Sequence, residues 1–192
     1  MKLNGTVFEF VPSEKTTPQA DVLVVPLPAK PQPALELVAR VDAICDDAVS
    51  EVLSVQALGD EAGHLAHTTR SAACRRVLLV SLGDVDKMTP QVLRKAAANA
   101  ANWLIAERIP TAALWIDGLA ASGAADAISE WAGGMSLGGF QFNELKAPDQ
   151  KVPAKIRVLV CSGQSGHVRQ VMPDIRDAVC IARAINLSLI HI

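Results

Sequence analysis

The chain has no tyrosine, and its 192 residues include only four phenylalanines and three tryptophans. Binding of single-stranded nucleic acid uses aromatic side chains as stacking platforms, so that class of partner finds little material here. An excess of one charge is also missing. The chain carries 18 basic and 20 acidic residues, a net charge of -2. Such a balance gives no bulk attraction to nucleic acid or to an anionic membrane. Cysteine is sparse: Cys45, Cys74, Cys161 and Cys180, none of them within a CxxC pair. Three of them fall inside apolar helix or strand patterns, where a free thiol acts as a small hydrophobe. This usage fits a reducing cytosol better than a disulfide framework. No apolar run reaches the roughly 18 residues that a bilayer span requires. The opening MKLNGTVFEFVPSEK lacks the apolar core of a signal peptide. These absences predict a cytoplasmic protein with no membrane partner and no nucleic-acid partner.

Hydrophobic residues are plentiful, at 50% of the chain, and their spacing is informative. Leu3 to Val11 alternates partly and predicts an edge or half-buried strand. Short continuous apolar runs follow at Asp21 to Leu27, Val77 to Leu82, Thr111 to Ile116 and Ile156 to Cys161. Such runs fit strands buried on both faces, as in a parallel sheet covered by helices. Pro26 and Pro28 are expected to end the first of them, since proline cannot donate to a ladder. His64 to Thr69 is a weaker strand candidate.

Helical periods lie between the runs. Pro33 to Val55 carries Leu35, Val38, Cys45, Ala48, Val49 and Val52 on one stripe. Thr89 and Pro90 are an N-cap and first-turn proline for a second helix, with Val92, Ala96, Ala100, Trp103 and Leu104 as its expected buried face. Ala124 to Leu137 and Val168 to Leu187 are two more. The last is expected to bury Val171, Ile175, Ala178, Ala182 and Ile185. Alternating strands and helices predict an α/β fold with a largely parallel sheet between helical layers. The expected three-layer arrangement resembles that of macro domains.

The residues that carry chemistry elsewhere are few. His64 and His67 have metal-like spacing, but three residues apart on a strand they point to opposite faces, and no carboxylate pair or cysteine completes a shell. His167 and His191 stand alone. Asp84 and Asp86 follow a strand end, where ligands of open sheets bind, yet the turn role of Asp beside Gly is favoured. Gly133, Gly134, Gly138 and Gly139 close a helix rather than open one, so close packing is favoured over phosphate binding. Gly163 to Gly166 (GQSG) follows a strand and precedes a helix, the best-placed anion loop of the chain, though a plain turn is favoured. Ser165 lies in QSG and not in a GxSxG elbow. No catalytic, cofactor-binding or metal-binding residue is assigned.

Several segments together resemble the amino-terminal domain of the leucyl aminopeptidase (cytosol aminopeptidase) family. They are VLVVPL from Val22, RRVLLVSLGD from Arg75, TPQVLRKAAANAA from Thr89, AGGMSLGGFQFNELK from Ala132 to Lys146, and the closing ARAINLS. The resemblance runs from Val22 to Asn186. Its most specific block departs from the family pattern at Gly133, where Glu is usual, and at Phe140, where Tyr is usual. The resemblance implies a parent hydrolase that removes amino-terminal residues, often leucine, from peptides. Two divalent ions, manganese or zinc, would serve it by activating a bridging water. The family holds those ions on Asp, Glu and Lys side chains of a carboxyl-terminal domain and assembles as a homohexamer. Neither those ligands nor the family's NTDAEGR motif is found in this chain, so no cofactor is expected in it. Its expected role is noncatalytic, in assembly and in access to the active site.

The closing LSLIHI matches a frame translation of a transposon-end adapter used to prepare sequencing libraries. The expected organisation is therefore a native domain over residues 1–186 and a non-native tail over 187–192. Two other readings stay open. A free-standing macro-domain-like module would bind ADP-ribose or a related nucleotide through the loops after Leu27, Leu82 and Ser162. Sequence-specific DNA binding, known for some members of the family, is opposed by the acidic net charge.

Overall fold

A computed structural model describes residues 6–13, 19–28, 31–56, 58–68, 76–120, 126–140, 155–164 and 166–190, with side chains for all of these but 31–35, 85 and 187–190. Six strands form one sheet: β1 (Val7–Pro12), β2 (Val22–Leu27), β3 (Leu65–Thr68), β4 (Arg76–Ser81), β5 (Thr111–Trp115) and β6 (Lys155–Cys161). Their order is β1-β6-β5-β2-β4-β3, with only β3 antiparallel to its neighbour. The helices are α1 (Pro31–Cys45), α2 (Ala48–Val55), α3 (Pro90–Ala106), the single turn α4 (Asp117–Ala120), α5 (Ala127–Gly138) and α6 (His167–Ile190).

Successive strand residues point to opposite faces, and β2 shows the consequence. Val22 and Val24 join a core formed with α3, α5 and α6, while Leu23, Val25 and Leu27 join a second core under α1 and α2. The three-layer α/β arrangement expected from the buried runs is thus observed, with a core on each face of the sheet. At the edge pair β1–β6, a hydrogen bond from Lys155, 2.6 Å away, holds the Glu9 carboxyl below the ordinary glutamate range.

Several expectations are corrected. Pro26 does not end β2, which continues through it to Leu27. Pairing of β2 with β5 stops at Val24, opposite Leu114. The Pro26 carbonyl faces Gly118 of α4 beyond that point, so its missing N–H deprives no ladder partner. The long helix expected over residues 33–55 is two helices. Asp46 and Asp47 turn the backbone into the left-handed region at φ 51° and 58°, which aspartate tolerates better than most residues. The buried Asp42 carboxylate then accepts from the Val49 amide at 2.8 Å and from the amide and hydroxyl of Ser50, opening α2.

On α3 the N-cap is as expected, with Thr89 accepting from the Val92 amide. The buried face is Leu93, Ala96, Ala97, Ala100, Ala101, Leu104 and Ile105, while Val92 and Trp103 are only half-buried. On α6, Val168, Met172, Ile175, Val179 and Ala182 are buried; Ile185 is 42% exposed and Cys180 is also exposed. Cys45 and Cys161 are buried as expected, and Cys74 lies outside the described residues.

The small residues of α3 and α5 let the two helices approach closely. A Cβ on Gly134 would meet the Arg94 Cα at 2.6 Å, and one on Gly138 would meet the Ala98 Cβ at 2.2 Å. Of the four glycines expected to close the helix, Gly138 and Gly139 do end α5, while Gly134 sits inside it and, with Gly138, is bare because of the contact with α3. Gly133 differs: a Cβ there would touch only Ala178, at ordinary contact distance of 3.8 Å. Gly133→Ala is expected to stabilise the fold by about 0.5–1 kcal/mol, the usual helix-interior difference, read as a rise in the urea midpoint. A lower midpoint would contradict the packing described for this position.

Candidate functional site

Ligands of open parallel sheets bind beyond the carboxyl ends of the strands. Here the ends of β5 and β6 bring together Asp117, Ser162, Gly163 and His167. Asp117 begins α4 directly after β5 and is only 5% exposed. The Ser162 hydroxyl donates to its Oδ1, and the Gly163 amide donates to its Oδ2 at 2.9 Å. The Gln164 amide donates to Ser162 Oγ at 3.0 Å, and His167 Nδ1 lies 3.4 Å from the same oxygen.

The residue types are those of a hydrolytic triad, but the order is different. In a triad the histidine stands between serine and carboxylate, taking the proton from one while oriented by the other. Here the serine stands in the middle, and its hydroxyl is already committed to the carboxylate. Asp117 acts as an internal clamp that holds the β6–α6 loop to the end of β5. Space is also short, since a Cβ on Gly163 would lie 3.0 Å from Asp117 Oδ2 and 3.3 Å from the Trp115 ring. A buried carboxylate facing this loop opposes the anion site that GQSG suggests. Ser165 itself lies outside the described residues.

Asp117→Asn keeps the shape and removes one acceptor, so that either Ser162 or Gly163 faces an amide N–H. The expected loss is about 1–2 kcal/mol, within the range for a buried hydrogen bond left unmade. Urea denaturation would measure it; an unchanged midpoint would show that the clamp contributes nothing.

The other sequence candidates have local roles. His64 Nδ1 accepts from the Gly59 amide at 3.0 Å. The His67 ring packs on Trp103 with centroids 5.3 Å apart. Asp84 Oδ1 accepts from the Asp86 amide, and its carbonyl accepts from Lys87, which is the favoured turn. Among the described residues no group of three or more His, Cys, Asp or Glu side chains is placed to hold a metal ion. No helix among them is long and apolar enough to cross a membrane. His191 is outside the described residues. Asp117 is not among the candidates read from the sequence; its one signal is an Asp-Gly pair just after a buried apolar run.

Residues 22–149 match the family described as the cytosol aminopeptidase family, N-terminal domain. The chain belongs to this family. Among solved structures, a mutant leucine aminopeptidase from tomato is similar with a TM-score of 0.66 and 17% identity, over 94% of this chain and 36% of that one. A bottromycin maturation enzyme in complex with Mn is similar with a TM-score of 0.59 and 19% identity, over 86% of this chain and 30% of that one. At such identities the likeness concerns the fold. This aminopeptidase-family domain spans about a third of the length of those structures. No curated protein sequence matches it.

Proposed function

We propose that this chain is the noncatalytic amino-terminal domain of a two-metal aminopeptidase that removes amino-terminal residues from peptides in the cytoplasm. The observation that carries this reading is the family match over residues 22–149. Manganese or zinc would bind outside this chain and polarise the peptide carbonyl there. The domain's own role is in homohexamer assembly and in shaping access to the active site. Residues 187–192 are proposed to be a non-native tail, with residues 1–186 as the native domain.

Two measurements test this. The purified chain, supplied with Mn²⁺ or Zn²⁺, is assayed on leucine p-nitroanilide, with no release above the blank expected; metal-dependent turnover by this chain would overturn the noncatalytic role. The source gene is then read beyond the Asn186 codon. A frame continuing into clustered Asp, Glu and Lys codons supports the peptidase parent and the artefactual tail, whereas a natural stop after Ile192 counts against both.

A further inference from the structure

The α5–α6 side of the domain carries a groove of about 370 Å³ that the clamp and the family match leave without a role. Its residues recur at helical spacing on both helices, at positions 126, 130, 133 and 137 of the α5 segment and 174, 177, 181 and 185 of α6. Each stripe spans about three turns, or roughly 16 Å. The two helices run the same way, since Gly133 faces Ala178 and the Ser136 carbonyl accepts from Asn186 further along. The lining stripes both begin with carboxylates, Asp126 and Glu130 on α5 and Asp174 and Asp177 on α6, and both end in aliphatic residues, Leu137 on one and Ile181 and Ile185 on the other. The groove therefore grades from an acidic end to an apolar end.

Two features set this face apart from ordinary surface. Ile181 is 62% exposed and Ile185 is 42% exposed, two of the few large hydrophobics so placed among the described residues. The one cation among the described lining residues, Arg94, is already ion-paired with Glu130. Gly133 leaves the floor open, with no side chain to fill it.

We infer that this groove docks a cationic amphipathic helix from a partner polypeptide, with leucine or isoleucine on its buried face and lysine or arginine at one end. The length of the face suits a helix laid in a groove, anchored at successive turns. The charge decides between occupants. A second copy brings no free cation to this groove, because its matching face carries the same carboxylates and an Arg94 already paired with Glu130. A basic helix neutralises them and covers both isoleucines. The inference rests on this face being open in the parent protein as well, and a further domain after residue 186 that covers Ile181 and Ile185 would overturn it.

The test uses the full chain and a synthetic fluorescein-labelled helix of leucine, lysine and alanine, with leucines on one face and lysines at one end. Fluorescence anisotropy is expected to show saturable binding that weakens with added salt. The paired substitutions Ile181→Ser with Ile185→Ser, and Asp174→Lys with Asp177→Lys, are each expected to weaken binding at least about tenfold, the equivalent of about 1.4 kcal/mol. All four residues are exposed, so circular dichroism should show both variants folded. A control peptide with serine in place of leucine is expected not to saturate. Equal binding by the control peptide, or by either folded variant, would overturn the proposal. So would a concentration-dependent dimer of the unmodified chain that the isoleucine substitutions abolish.

Discussion

Trp131→Ala is expected to cost about 3–5 kcal/mol, the range for deleting a large aromatic from a closed core. Trp131 is 0% exposed and lies in the core that joins α5 to the sheet and to α3 and α6. It is fully enclosed in that core, so truncation leaves a cavity that close-packed neighbours refill only in part. Its indole N–H adds a second expectation. That group is buried without a hydrogen-bond partner among the described residues, and an unpaired buried donor costs about 1–3 kcal/mol. Trp131→Phe removes that donor while keeping much of the ring volume, so its loss should stay under about 1.5 kcal/mol. Urea titrations followed by far-UV circular dichroism separate the two. Equal losses for Ala and Phe would mean that the indole finds a partner in solution.

Gly134→Val is expected to cost about 3 kcal/mol, at the upper end of overpacking penalties. The Cβ alone would lie 2.6 Å from the Arg94 Cα and 2.8 Å from its carbonyl oxygen. Both are backbone atoms of α3, so no side chain can swing aside, and the helices must separate. The gain from replacing a helical glycine, under about 1 kcal/mol, does not offset this. The adjacent Gly133→Ala should move the midpoint the opposite way. A pair of neighbouring glycines with opposite signs is the signature of one face packed against α3 and the other opening on the α5–α6 groove. If both substitutions stabilise, the close approach of α3 and α5 is not the one described.

Much of the fold was legible because it depends on short-range patterns. The runs VLVVPL, VLLVS and TAALW are buried on both faces, as strands covered by two helical layers are; the fourth, IRVLVC, departs from that expectation by exposing Arg157 on one face. Thr89-Pro90 marked the start of α3 because capping is local chemistry. The misses arose where a distant partner decided. Asp46 and Asp47 sit in an unbroken helical period, but the Asp42 carboxylate captures the Val49 and Ser50 amides and starts a new helix. Pro26 reads as a strand end, yet its neighbour β5 has already stopped pairing at that level. Val92, Trp103 and Ile185 fit apolar stripes, but the helices are rotated so that Leu93, Ile105 and Asn186 face inward instead.

The candidate site was less legible than the fold. Asp117 stands in no motif, and its clamp on Ser162 and Gly163 spans 45 and 46 positions in sequence. The acidic groove needs Asp126 and Glu130 beside Asp174 and Asp177, which only the parallel packing of α5 and α6 provides. By itself the sequence determined the layer architecture, the start of α3 and the family, because each rests on local spacing or on contiguous motifs. Tertiary structure alone decided strand order, helix rotation, which glycines are indispensable and which carboxylates face one another. Those follow from contacts between segments far apart in the chain, and no local pattern encodes them.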